Sequence, residues 1–458
     1  MNIDDLEWQV RRNGGVPPRL VNLLLERGHL ELLIGAAAER GEWFCAETAA
    51  RELCRFGEFE RALGVLEPFA AIGWRPARWA SADVLLHAGR VQEALELVRP
   101  DDVAREPEHV CRNFAELLVK VGRVDDAIAV LAPHLDRGWM LSALVELTQG
   151  QGREEQVLEL IAPRAQRARS ARAEGRWNDD ASNAQELQAQ VLERAGRVDE
   201  AVQVLGADIA AGRYLTQNTL VAYAELLQCQ GRIEELRALG TGKQARTVLP
   251  FYARALEGLG RTEEAEAVLR HFIACDEYPG RFRWPLIDLL GRQGRLEEAV
   301  EVGRPTFDGD DACLLESVIH LLFEAGRPDD AVALLDERDA EFIAEHPSWF
   351  HSNRLWLLAE AGRYEEALAY AATLPSDLYG LTASTAGVLE QSGRVEEALA
   401  LLRADGHVPA WEVAELLIKQ GRATEAITGM PSLSELHEAS RRRDAAIQAT
   451  RGPNEPPF

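Results

Sequence analysis

The sequence predicts an all-α solenoid of about thirteen helical hairpins with a C-terminal capping helix, and three observations predict it. A turn written around Gly-Arg-x-Glu-Glu-Ala recurs thirteen times in 458 residues. Leu stands four residues before the turn glycine in twelve of the thirteen cases, with Thr148 the exception, and Ala stands five residues after it in ten. A pattern that returns at a steady period marks a repeat array, whose units complete their cores only by stacking on their neighbours.

The turn glycines are Gly28, Gly57, Gly89, Gly122, Gly152, Gly196, Gly231, Gly260, Gly294, Gly326, Gly362, Gly393 and Gly421. Their intervals run from 28 to 36 residues apart from one of 44, which is the length of a helical hairpin. In the first helix of each unit the recurrent Leu is preceded, three residues earlier, by a small residue such as Ala50, Ala82, Ala115, Ala224, Ala253, Ala386 or Ala414. That spacing draws an apolar stripe along one helix face. The glycine follows where the helix must stop, because a residue without a Cβ enters left-handed angles cheaply. Acidic pairs such as Asp125 with Asp126, Glu297 with Glu298 and Glu396 with Glu397 then favour the positive dipole end of the second helix. The recurrent alanines, Ala62, Ala94, Ala299 and Ala398 among them, mark where two helices approach so closely that only a methyl fits. Bulky pairs such as Leu97 with Val98 or Leu401 with Leu402 close each hairpin core.

The expected organisation is an array over residues 1–430, a capping helix over 431–450 and a disordered tail over 451–458. The interval of 44 residues lies between Gly152 and Gly196, with its extra length around 162–183. This insert carries Arg164, Arg167, Arg169, Arg172 and Arg176 before turning acidic at Asp179 and Asp180. It reads as a lengthened helix with a solvated loop, and its five arginines are a candidate clamp for a carboxylate or phosphate.

The hairpin pattern resembles the tetratricopeptide repeat over residues 16–430. It differs in placing Arg after the turn glycine where that family often has an acid, in its variable unit length, and in seldom ending units with Pro. The resemblance implies a right-handed α-solenoid whose first helices line a concave groove that holds a partner. It also implies that groove-facing positions lie thirteen, ten and six residues before the turn glycine. These hold Trp139 and Trp349 at the first, Trp79, Trp284 and Trp411 at the second, and Trp356 at the third. The third position also holds the acids Asp83, Glu116, Glu146, Glu225, Asp288 and Glu415. Tryptophan faces and carboxylates both attract cations, so the expected guest is a basic segment of a protein or peptide. The competing reading is that these tryptophans fill space between adjacent hairpins. The Lys and Asn clamp with which some grooves of the family hold a terminal carboxylate is here replaced mostly by acids.

A formal net charge of −25 disfavours nucleic acid, because a polyanion is repelled by most of such a surface. Only Lys120, Lys243 and Lys419 among fifty basic residues are lysine, a bias of coding rather than of chemistry. No run of eighteen apolar residues exists, and Asp4, Asp5, Glu7, Arg11 and Arg12 occupy the place of a signal peptide's apolar stretch. The expectation is a soluble cytoplasmic protein without a membrane segment. Cys45, Cys54, Cys111, Cys229, Cys275 and Cys313 lack CxxC spacing and are expected as buried thiols within helices.

Catalytic signatures are missing where they would be sought. Gly240, Gly242 and Lys243 resemble part of a phosphate loop, yet the earlier glycine and the following Ser or Thr are absent. His346 and His351 are five apart with Pro347 between them, which does not place two imidazoles on one helix face. The paired carboxylates recur at the same turn position in unit after unit, as turn chemistry rather than as acid and base. No catalytic residue, metal ligand or cofactor is therefore expected. The leading expectation is a non-enzymatic interaction scaffold or adaptor. The second, from another class, is a ligand-sensing regulator that binds a small anion or nucleotide near the Arg-rich insert.

Overall fold

The computed structural model describes residues 2–174, 176, 183–211, 216–276, 280–304, 311–338, 340–406 and 408–450. Among them are 29 α-helices, one short 3-10 turn at Ala132–His134 and no strand. The fold is an all-α helical-repeat solenoid, and each of the thirteen turn glycines stands between two helices. At Gly89, for example, Arg75–His87 passes to Val91–Val98, and at Gly393 Leu381–Gln391 passes to Val395–Ala404.

All thirteen glycines have φ between 64° and 81°. At Gly89 a Cβ would meet no atom within 4 Å, so glycine is required there by backbone angle and not by crowding. In twelve of the turns the residue after the glycine donates its N–H to the carbonyl of the recurrent Leu, at 2.8 to 3.0 Å, as in Arg90 to Leu85 and Arg422 to Leu417. This is the Schellman closure of a helix. The Leu thus has two tasks, since its side chain is at most 7% exposed in every unit while its carbonyl stops the helix. The Gly152 turn, where Thr148 replaces Leu, is the one closed differently: the Thr148 hydroxyl donates back to the Leu144 carbonyl at 2.7 Å. The ten recurrent alanines five residues after the glycine are all at most 1% exposed.

The arginine that follows most turn glycines ties one hairpin to the next. Arg295 pairs with Glu298 of its own helix at 2.6 Å and with Glu266 of the preceding hairpin at 2.5 Å. Arg327 does the same with Asp330 and Glu297, and Arg422 with Glu425 and Glu396. Glu58 replaces this arginine after Gly57, and the charges are exchanged: Arg61 reaches Glu58 at 2.6 Å and Glu31 of the preceding hairpin at 2.7 Å.

The chain forms two compact units, Met1–Arg99 with Ala340–Phe458, and Pro100–Asp339. In the first unit the first hairpin stacks on the last, with Pro18–Glu26 against Ala410–Lys419 and Ile3–Arg12 against the terminal helix Leu433–Thr450. Leu20, Leu24 and Leu53 share one core with Leu389, Leu416 and Leu417. Arg27 donates to the Lys419 carbonyl at 3.1 Å, and Arg40 to the carbonyls of Met430 and Pro431 at 3.1 and 2.8 Å. Trp8 stacks on His437, whose Nδ1 lies 2.7 Å from Asp5. Residues 451–458, expected as a tail, lie outside the described residues.

In the second unit, the helix Glu154–Ala173 runs for 20 residues, which accounts for much of the long interval after Gly152. Three cysteines depart from expectation. Cys45 and Cys111 are buried and Cys54 partly so, but Cys229, Cys275 and Cys313 are exposed. Cys229 and Cys275 are the last residues of their helices, and Cys313 lies in the first turn of Asp311–Glu324, where the apolar stripe has run out or not yet begun. No described helix is long and apolar enough to cross a membrane.

Candidate partner-binding cleft

The helix Ala410–Lys419 follows Pro409, whose fixed φ suits a helix start. Its four-residue spacing sets Trp411, Glu415 and Lys419 along one stripe, while the neighbouring stripe of Ala414, Leu417 and Ile418 is buried. Beside that face runs Leu381–Gln391 of the preceding hairpin, contributing Ala383, Ala386, Gly387 and Glu390. Leu402 forms part of the wall, and Arg19 of Pro18–Glu26 closes the other side. The cleft, open to the surface, measures about 280 Å³.

The cleft is charged and organised. The Arg19 guanidinium lies 4.3 Å over the Trp411 ring and forms an ion pair with Glu415. Lys419 Nζ lies 3.4 Å from both Glu390 and Glu415. Burial pushes the Glu412 carboxyl above its ordinary value; Arg19 opposes this, and the charges of Glu415 and Asp405 add to it. Three carboxylates thus face two cations around an indole.

Trp284 and Asp288 also meet, in the second unit. With Arg292 they lie on Gly280–Arg292, opposite Pro250, Arg254 and Glu257 of Ala245–Gly258. Here the space is only about 10 Å³. Arg292 reaches Glu257 at 2.6 Å and Asp288 at 2.5 Å, and Arg254 lies 3.7 Å from Asp288. Trp284 is 49% exposed.

The remaining candidates line neither cleft. Trp79 is half-buried, with Asp83 one turn further on and 3.7 Å from His87. Trp139 is 43% exposed, Glu225 is exposed, and Trp349 and Trp356 are half-buried, with Trp349 edge-on to Phe342. Four of the five insert arginines are engaged by neighbouring groups of the chain. Arg164 and Arg167 both pair with Asp136, at 3.1 and 2.8 Å, and Arg164 also donates to the carbonyls of Leu135 and Leu160. Arg169 donates to the Val204 carbonyl and Arg176 to Glu174. The Arg172 side chain, Asp179 and Asp180 lie outside the described residues. Gly240 ends a helix and Gly242 lies in the turn before Ala245–Gly258. His351 hydrogen-bonds the Tyr370 hydroxyl at 2.6 Å, and burial together with Arg354 lowers its pKa. Among the described residues no cluster of His, Cys, Asp and Glu could hold a metal ion.

Sequence reasoning missed Arg19, Gly387, Glu390 and Glu412. Gly387 and Glu390 were within reach, because they face Trp411 and Glu415 when adjacent hairpins are aligned on their glycines, and Glu412 was within reach as the neighbour of Trp411 on the same helix. Arg19 carried no local signal.

The tetratricopeptide repeat family model matches residues 76–100 and 251–271. No curated protein sequence matches. Similar solved structures include that of Naa15/Naa10 bound to HypK-THB, at 14% identity and a TM-score of 0.35, covering 83% of this chain and 66% of that one. The APC/C hetero-tetramer Cut9-Hcn1 is 12% identical with a TM-score of 0.25, covering 91% and 94%. The pentatricopeptide repeat protein PPR10 from maize is 16% identical with a TM-score of 0.33, covering 95% and 70%.

Proposed function

Because the chain is a tetratricopeptide-like helical-repeat protein, we propose that it is a non-enzymatic interaction scaffold or adaptor whose Trp411 cleft holds a basic segment of a protein partner. One observation carries the reading: the cleft already engages a guanidinium, that of Arg19, through an indole face and a carboxylate. Both contacts favour a cation wherever it comes from. The net charge of −25 favours a basic protein over a nucleic acid, and a cytoplasmic setting fits a partner of that kind.

The test is affinity capture from the native host with the wild-type chain and a Trp411→Ala variant of equal helicity. The expected result is a specific protein retained by the wild type and depleted with the variant. Equal retention by both removes the cleft as the binding surface, and capture of no specific protein removes the scaffold reading.

A further inference from the structure

We infer that the group entering the Trp411 cleft is an arginine side chain of the partner, an inference that rests on the scaffold reading and specifies its contact. The ground for it is that the protein builds this cleft more than once. Counted from the turn glycine, Trp411, Glu415 and Lys419 stand in the positions of Trp284, Asp288 and Arg292. From the preceding hairpins, Glu390 matches Glu257 and Leu402 matches Leu269.

The two clefts differ where it matters most. Six residues before its turn glycine, the preceding hairpin has Arg254 in one case and Gly387 in the other. Arg254 directs its guanidinium to within 3.7 Å of Asp288, and the cleft there shrinks to about 10 Å³. Pro250 in place of Ala383 adds bulk to the same wall. Gly387 leaves about 280 Å³ beside Glu415. A third register copy, at Trp79 and Asp83, again has an arginine, Arg51, at this position. The Trp284 copy supplies a guanidinium from the preceding hairpin, that of Arg254, whereas in the Trp411 copy this position is Gly387 and the space beside Glu415 stays open, with Arg19 reaching the indole from Pro18–Glu26.

The charges agree. Glu412, where the filled cleft has Pro285, joins Glu390 and Glu415, so three carboxylates outnumber Arg19 and Lys419 by one. A guanidinium suits this site better than an ammonium, because it is planar, stacks on an indole and forks onto a carboxylate.

The test uses the full chain labelled with ¹⁵N at its tryptophan indoles, with N-acetyl-arginine amide as probe and the neutral N-acetyl-citrulline amide as control. The Trp411 resonance, assigned through Trp411→Phe, is expected to shift saturably with the arginine probe and roughly tenfold more weakly with citrulline. Gly387→Arg is expected to abolish the response; a Cβ there meets nothing within 4 Å, so the variant has room to fold. Arg254→Gly is expected to make the Trp284 resonance responsive. A silent Trp411, an equal response to citrulline, or a response that survives Gly387→Arg overturns the inference. Equal capture of a protein partner by wild type and Gly387→Arg also overturns it, while leaving the scaffold reading in place.

Discussion

Arg19 and Trp411, 4.3 Å apart from guanidinium carbon to ring centroid, join the first hairpin to the last. The same junction is held by Arg40, whose side chain is only 19% exposed and donates to two carbonyls beyond the last hairpin. Arg40→Ala removes both charged hydrogen bonds and is expected to cost about 1.5–3 kcal/mol. Arg19→Ala, at a largely exposed side chain, is expected to cost about 0.5–1 kcal/mol. Urea midpoints measure the difference, and amide exchange over 410–430 should quicken in the Arg40 variant. Equal midpoints for the two variants would contradict this account of the junction.

Ala299 is fully buried five residues after Gly294, where the hairpin's helices approach closely. Ala299→Leu must push those helices apart or adopt a strained rotamer, at a cost of about 1–3 kcal/mol. A thermal melt indistinguishable from wild type would show that the alanine is not a spacer.

The turn arginines set the acid limb of stability. Glu93, Asp125, Glu200, Glu297, Glu298, Glu397 and Glu425 are each held below the ordinary carboxylate range, chiefly by a hydrogen bond from an arginine. Their stabilisation is therefore present above the unfolded values of about 4 and is lost as pH falls through the lowered native values. Arg295→Ala, which leaves Glu266 and Glu298 with Arg270 as their remaining partner, is expected to lower the melting temperature at neutral pH and to reduce its dependence on salt and on acid. A melting temperature that falls by the same amount at every pH and salt concentration would assign Arg295 a packing role instead.

The hairpins were legible because Leu53, Gly57 and Ala62 have counterparts in unit after unit, so the signal accumulates over the chain. The turn arginine was visible as a pattern but not as a tie between hairpins, since Arg295 and Glu266 meet only once adjacent units are stacked. Trp411 and Glu415 were named in advance because they stand ten and six residues before Gly421, the groove-facing positions that the repeat resemblance implies. Arg19 was not, because 396 residues separate it from Glu415 and only the stacking of the first hairpin on the last brings them together. The insert arginines drew attention by composition, and the structure commits Arg164 and Arg167 to Asp136, a lone acid with nothing local to mark it.

Glu42 is expected to oppose the turn carboxylates in its effect on pH dependence. Its side chain is fully buried, with Oε2 accepting from Gln9 Nε2 at 2.6 Å and from the Val16 N–H at 3.0 Å, and Arg40 lies 3.8 Å from Oε1. Burial raises its pKa, and the Val16, Arg40 and Gln9 contacts pull it down by less. The native state therefore holds this proton more tightly than the unfolded chain, where the value is about 4.3. Its contribution is complete below that value and is lost as pH rises through the raised native one. In Glu42→Gln the amide oxygen can still accept from Gln9 and Val16, and nothing ionises. The variant's stability relative to wild type should then rise from about pH 4 towards neutrality, by about 1.4 kcal/mol for each pH unit between the two values. Urea midpoints of both proteins across that range measure the rise, and the turn carboxylates, common to both, cancel in the difference. A difference that stays flat would mean that Arg40 and the two hydrogen bonds fully offset the burial of the charge.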